Sequence, residues 1–351
     1  MEYLKYILII LIIIVFNSCK NNVTGPETIS DGRRDYVWKV DTLFVDSPFN
    51  YITFLKGYNS DNVWAFGSEV VWNYKNGKWT KSPNNIYGVW DICGVSENEA
   101  WAGETGDGRI YHLVGNDWSL FTTIKYPGYQ YQSINNFYAE SPTNIIAIGS
   151  VDKGDFPRYG IIMKFNGTTW NYIKQPDDKI EYYRIEKSND NLYYILGILQ
   201  TVDTTKNPPL HLPDTTKIFT YDGINLKQIY SDQASLNLCK IGDQVYFSKK
   251  NKILSYDGNN FNTVIQYSSS EHDYYAYGGR SLKDIFAYGY SKTAGNMRYI
   301  MHYNGIDNQI LVQDEMIWGI FISQDKVFVL TQNSNTSNGM YPYYVRIGEL
   351  K

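Results

Sequence analysis

Beyond the first thirty-five residues the hydrophobic positions fall into short runs that recur at a steady interval. A brief apolar run, often closed by glycine, is written seven times: 63–67 (VWAFG), 100–103 (AWAG), 145–149 (IIAIG), 192–197, 245–247 (VYF), 285–289 (IFAYG) and 327–330 (VFVL). A second alternating run follows most of them, and then a tight turn: Asn76-Gly77, Gly115-Asn116, Asn166-Gly167, Asp222-Gly223, Asp257-Gly258 or Asn304-Gly305. Gly and Asn tolerate the positive φ that two-residue hairpins need, so these pairs predict β-hairpins. No sustained helical periodicity occurs outside the amino-terminal segment.

Each repeat reads as four strands. In the first they fall at 52–56, 63–67, 70–75 and 78–81; in the second at 88–95, 100–103, 109–114 and 118–122. From Trp64 to Phe328 the chain makes six steps averaging about 44 residues, a period that indicates a propeller, a solenoid or an array. The length resembles that of WD-type blades, although their Gly-His and Trp-Asp signatures are missing. The seventh repeat supplies strands near 317–323, 327–331 and 343–349 but no fourth. A spare strand at 36–44 (YVWKVDTLF) precedes the first repeat. This predicts an all-β fold, a seven-bladed β-propeller closed by its amino-terminal strand, since closure protects sheet edges. Six or eight blades are the alternatives, because the fourth and fifth units are the least regular.

The amino terminus (MEYLKYILIILIIIVFNSCK) carries one early Lys and an unbroken apolar run from Ile7 to Phe16. That run is short for a bilayer span, which needs about 20 residues, and suits the apolar core of a secretory signal. Ser18 then precedes Cys19. The arrangement resembles a bacterial lipoprotein signal, although Phe16 and Asn17 depart from its usual pattern. The resemblance implies cleavage after residue 18, lipid on Cys19, and an address at the bacterial cell envelope, facing the periplasm or the cell surface. Residues 19–35 then read as the lipidated cysteine and a flexible polar tether, and 36–351 as the propeller.

Composition narrows the partners. The formal charge is −4 and no basic block occurs, which argues against nucleic acid. Charged residues make up only 19 %, while aromatics reach 16 % with 33 tyrosines, enough to furnish both half-buried strands and a glycan- or peptide-binding surface. After Cys19 only Cys93 and Cys239 remain. They fall in innermost strands of distant blades, so no disulfide is expected. With four histidines and no CxxC or HExxH spacing, no zinc site and no cofactor are expected.

Candidate binding residues follow from loop lengths. Connections between the second and third strands vary widely, from Ser68-Glu69 to the eighteen-residue stretch 200–217. In a four-stranded meander they share a face with the connections between blades. Variable loops on a rigid scaffold concentrate binding, so this face is the expected working surface. It offers Asp152, Asp155 and Arg158 in the third unit, Asp203, His211 and Asp214 in the fourth, His272 and Asp273 before the sixth, and Arg298 within it. Tyr129, Tyr131, Tyr341 and Tyr343 offer stacking platforms, and Trp90 and Trp318 start innermost strands. Asp152 and Asp155 flank Gly154 and could offer oxygens to calcium, a weak signal because the twelve-residue calcium-loop pattern is absent.

No catalytic signature emerges. The stretch Gly167-Thr168-Thr169-Trp170 matches only the second half of the Asp box found in sialidase-like propellers, with Met163 and Phe165 where its Ser and Asp belong. The mature chain resembles bacterial lipoproteins built from a propeller of Trp-Ala-x-Gly and Asn/Asp-Gly-x-x-Trp repeats. That resemblance implies no catalytic residues. The expectation is a monomeric, membrane-anchored, non-catalytic module for an envelope or extracellular protein, peptide or glycan. A glycan-active enzyme and a structural scaffold are the rivals.

Overall fold

The computed structural model describes residues 32–351 apart from 48–49, 84–85, 155–156, 204, 207–209, 270, 294–296, 315 and 333–340. Cys19 and Asp155 therefore lie outside the described residues. The strands form seven four-stranded antiparallel meanders plus one two-stranded ribbon, and no helix occurs among the described residues. No helix there is long and apolar enough to cross a membrane. Six blades run consecutively through the chain: 52–81, 89–123, 131–174, 181–232, 237–266 and 272–314. The seventh joins Ile317–Ile322, Lys326–Gln332 and Tyr341–Leu350 to the amino-terminal strand Tyr36–Val45. That strand runs antiparallel to Tyr341–Leu350, from Tyr36 opposite Leu350 to Val45 opposite Tyr341. The expected closure is thus present, and the innermost strands touch in succession around a full ring.

Burial follows the strand order. The second strand of blade 1, Asn62–Gly67, is buried along its whole length because neighbouring blades cover both its faces, and such strands read as continuous apolar runs. The outermost strand, Lys78–Lys81, faces solvent along most of its length. Seven hydrophobic clusters result, each lying between two adjacent blades. Trp64 and Phe66 of blade 1 pack on Ile92 and Ala100 of blade 2, and Phe286 and Ile300 of blade 6 on Ile317 and Val329 of blade 7. With apolar mass assigned to the seams, the ring axis is left for polar and aromatic side chains.

The innermost strands carry a repeated irregularity. In six of the seven blades the first strand gains a residue against its partner at a shared position, leaving Thr53, Trp90, Asn135, Tyr183, Tyr277 and Trp318 as the extra residues; blades 1, 2, 3 and 6 gain a second one further along. A β-bulge bends the strand and re-aims side chains. The recurring glycine of the sequence repeat serves this geometry. Gly67 and Gly149 pair with Ile52 and Ile134, immediately before the bulges. A Cβ there would sit 1.9 Å and 1.8 Å from the carbonyl oxygens of Tyr51 and Ser133.

Residues 32–35, the end of the stretch read as a tether, are fixed to the ring. Gly32 has φ +75° and lies against the carbonyls of Lys283 and Asn304. Arg34 donates to His302 Nδ1 (3.1 Å) and to the carbonyl oxygens of His302 and Asp307, and Arg33 donates to the carbonyl of Lys351. These contacts fall on the tight-turn face of blades 6 and 7, opposite the face of variable loops.

Candidate functional site

On the variable-loop face a cavity of about 540 Å³ opens at the ring axis between blades 5, 6 and 7. Its walls come from the starts of the innermost strands of blades 5 to 7 and from the neighbouring ends of the second and third strands of blade 6. Tyr275, Tyr277, Tyr288, Tyr290 and Trp318 form the aromatic walls, Ser235 and Asn237 supply neutral polar groups, and Arg184 and Arg298 supply charge. Among the described lining residues there is no carboxylate.

The bulges place two of these walls, since Tyr277 and Trp318 are the extra residues of blades 6 and 7. Alternation places the others: Tyr288 and Tyr290 are two apart and share a side of their strand, and Tyr275 stands two residues before the bulged Tyr277. The rings meet edge to face, Tyr288 on Tyr290 at 5.0 Å and Tyr275 on Tyr290 at 6.2 Å. Arg298 lies over the Trp318 ring at 6.0 Å and donates to the carbonyl of Ile317 at 3.2 Å. Trp318 donates through its indole N–H to Gln332 at 3.0 Å and remains 36 % exposed. Burial pushes the Tyr288 hydroxyl up to about 12, against an opposing pull from Arg298, so it stays a neutral hydrogen-bonding group at physiological pH.

Arg184 lines the mouth from blade 4. It also lines a cavity of about 480 Å³ on the opposite face, with Lys56, Glu186, Lys240 and Arg280. Its Nε and one terminal nitrogen both donate to a single oxygen of Glu186, at 3.1 and 2.9 Å, and its guanidinium lies 5.8 Å from the Tyr277 ring. Burial works against its charge, and Glu186 and then Tyr277 hold it, so protonation is favoured overall.

The opposite wall of the axis is polar and internally matched. Lys56 pairs with Asp91 at 3.1 Å. Asp91 accepts from Asn136 at 2.8 Å and from the Phe137 amide at 2.9 Å, and Asn136 accepts the Ile185 amide at 2.9 Å. Buried Glu181 accepts from Arg158 (2.6 Å), Tyr183 (2.7 Å) and Asn135 (3.1 Å). These bonds tie blades 1 to 4 together.

Of the residues singled out from sequence, the mouth brings together Arg298 and Trp318. Arg158 joins Glu181 between blades 3 and 4, with Asp152 at 3.9 Å, while Asp152 accepts the Gly154 amide at 2.8 Å. Tyr129 lines a separate cavity of about 620 Å³ between blades 2 and 3, beside Tyr126 and Tyr159; neighbouring Tyr131 is 40 % exposed and accepts from Gln130. Arg109 there reaches Asp107 and Glu104. Trp90 is 40 % exposed, edge-on to Phe54. His211 and Asp214 are exposed; His211 pairs with Val202 in the two-stranded ribbon. His272 stacks on Tyr274, and Asp273 pairs with Lys250 and Lys292. Tyr341 is half-buried, and Tyr343, only 2 % exposed, belongs to the core between blades 7 and 1 rather than to an accessible platform.

Sequence reading missed Arg184 and the four tyrosines of the mouth. The tyrosine pairs at period two in 272–281 and 284–291 were the available signal, masked by the abundance of tyrosine elsewhere. Cys93 and Cys239 are both free thiols, pushed up to about 12 by burial. Among the described residues no three His, Cys, Asp or Glu side chains are grouped to hold a metal.

No protein-family model and no curated protein matches the chain. Solved structures do. The virginiamycin B lyase from Staphylococcus aureus superposes with a TM-score of 0.56 at 12 % identity, over 88 % of this chain and 99 % of that one. The Cps50 (Swd1) β-propeller domain from Myceliophteria thermophila gives 0.53 at 8 % identity, over 88 % and 98 %. YCF48 from Cyanidioschyzon merolae gives 0.52 at 12 % identity, over 88 % and 98 %. At such identities the likeness is one of fold: this chain is a β-propeller.

Proposed function

We propose that this chain is a lipid-anchored, non-catalytic recognition propeller of the bacterial cell envelope, binding its ligand at the axial mouth between blades 5 and 7. The observation that carries the reading is the composition of that mouth. Five aromatic rings and two arginines surround about 540 Å³, a cavity size and wall chemistry suited to a ligand held by a few placed polar groups. Most glycosidases use two carboxylates flanking the scissile bond, and the described lining residues offer none.

The anchoring half rests on the amino-terminal sequence, with its apolar run, Ser18-Cys19 and polar stretch. Gly32 and Arg34 bind the tight-turn face of the ring. Metabolic labelling with a clickable palmitate tests the anchor: label is expected on the wild type and lost in Cys19→Ser. Equal labelling of both would overturn it. A pull-down with the full chain and Trp318→Ala tests the mouth: ligands enriched by the wild type are expected to be lost from the variant, and identical recovery would contradict the choice of site.

A further inference from the structure

We propose that the ligand class of this mouth is an acidic saccharide, a sugar ring bearing a carboxylate; the proposal rests on the mouth being the binding site. Three observations meet here. The described lining holds two guanidinium groups and no carboxylate, so the cavity favours an anion. The two charges differ in what holds them. Arg184 spends two of its N–H groups on one oxygen of Glu186, from the opposite opening, while Arg298 lies over Trp318 and bonds only neutral groups, the Ile317 carbonyl and the Tyr288 hydroxyl. Guanidinium groups of this kind match a carboxylate through paired N–H donors.

The walls specify the rest of the molecule. Tyr275, Tyr288 and Tyr290 meet edge to face, presenting ring faces in several directions within one cavity. Aromatic faces cover the C–H face of a sugar. Phenol hydroxyls together with Ser235 and Asn237 supply donors and acceptors for its hydroxyls, and burial keeps the Tyr288 hydroxyl protonated. An extended peptide would instead add to a regular sheet edge, and the innermost strands at this mouth are interrupted by bulges at Tyr277 and Trp318. A neutral sugar would leave Arg298, which meets no carboxylate among the described lining residues, without a charged partner in a half-enclosed site, which costs binding.

The experiment is a calorimetric titration of the full-length chain in detergent micelles. The probes are trigalacturonate, two other uronate oligosaccharides of different linkage, trigalacturonate reduced to its neutral trisaccharide, and a tripeptide with a free carboxylate. At least one acidic saccharide is expected to bind, and its reduced form to bind roughly ten- to a hundredfold more weakly, as expected for loss of a charge-assisted hydrogen bond. Arg298→Gln should cause a similar loss, and Arg298→Lys a smaller one, because charge survives without the planar fork. Trp318→Phe should retain binding that Trp318→Ala loses. Equal affinity for acidic and neutral forms, with sensitivity to Trp318→Ala, would overturn the acidic class while leaving the mouth as the site. Tripeptide binding alone would overturn the saccharide. Binding indifferent to both residues, or absent for every acidic saccharide, would overturn the proposal, and indifference would overturn the mouth as well.

Discussion

The two sides of the ring axis are built from equivalent strands, bulged at equivalent places in every blade but the fifth, and they end in opposite chemistry. On the side of blades 1 to 4 the inward polar groups answer one another: Lys56 with Asp91, Asp91 with Asn136, Asn136 with the next blade's backbone, Glu181 with Arg158. On the side of blades 5 to 7 aromatic rings and Arg298 border open space. A polar group whose partners lie within the protein holds blades in register. One that faces a cavity beside exposed aromatics is available to something else. Equivalent positions in a repeat therefore divide into architecture and recognition, and the list of partners distinguishes them.

The largest effect should come from the matched chemistry. Asp284 of blade 6 is nearly inaccessible and accepts from Arg280 (3.0 Å), with His302 at 2.7 Å and Arg34 on the far side of the imidazole. Burial pushes its carboxyl upward, but His302 and Arg280 outweigh that and hold it below the ordinary value. Removing one partner of a buried ionic network costs about 3–5 kcal/mol, so Asp284→Asn should lose that much stability in urea unfolding. A depressed folded pKa gives stability that is present above the unfolded value, about 3.9, and is lost as pH falls through the folded one. The wild type should therefore lose this contribution below about pH 4, and Asp284→Asn should show a flatter acid limb. Equal acid limbs would remove Asp284 from the structural set.

Asp91 sharpens the contrast at smaller magnitude. Burial raises its carboxyl above the ordinary range despite Lys56, so its charge is not the source of its value; its hydrogen bonds are. Asp91→Ala orphans the Phe137 amide and the Asn136 side chain and should cost about 2–3 kcal/mol. Asp91→Asn, which keeps an acceptor, should cost about 1 kcal/mol or less. Thermal unfolding of the pair checks the order, and equal losses would contradict it.

In the mouth the expectation inverts. Trp318→Ala and Arg298→Gln should change stability by under about 1 kcal/mol, because partly exposed positions off the core tolerate change, while abolishing or greatly weakening binding. Loss of several kcal/mol in either variant would move that residue to the structural side. Smallest of all are Ile224→Ser and Ile306→Ser. Both sit at outer turn tips with 87 % and 89 % exposure, and stability should stay within about 0.5 kcal/mol with binding intact.

Much of the ring was legible in the sequence, because its signals are local. Alternation, Asn-Gly and Asp-Gly turns and the spare strand at 36–44 each concern a few neighbouring residues, and the recurring glycine at 67 and 149 reflects contact with the adjacent strand alone. The mouth was legible only in part. Arg298 and Trp318 were reachable because strand order assigns each residue to a face. Arg184 was not, because its importance depends on blades 6 and 7 lying across the axis from blade 4, a closure that no spacing along the chain expresses. Tyr343 went the other way: its position near a variable loop suggested access, and inter-blade packing buried it.

The division between matched and open chemistry is tested most directly by titrating trigalacturonate and its reduced neutral form into the wild type, Trp318→Ala and Asp91→Asn. The account predicts binding of the acidic form by the wild type and by Asp91→Asn, its loss in Trp318→Ala, and near-equal folding stability of the wild type and Trp318→Ala. Undiminished binding by Trp318→Ala, or loss of binding in Asp91→Asn with its fold intact, would contradict it.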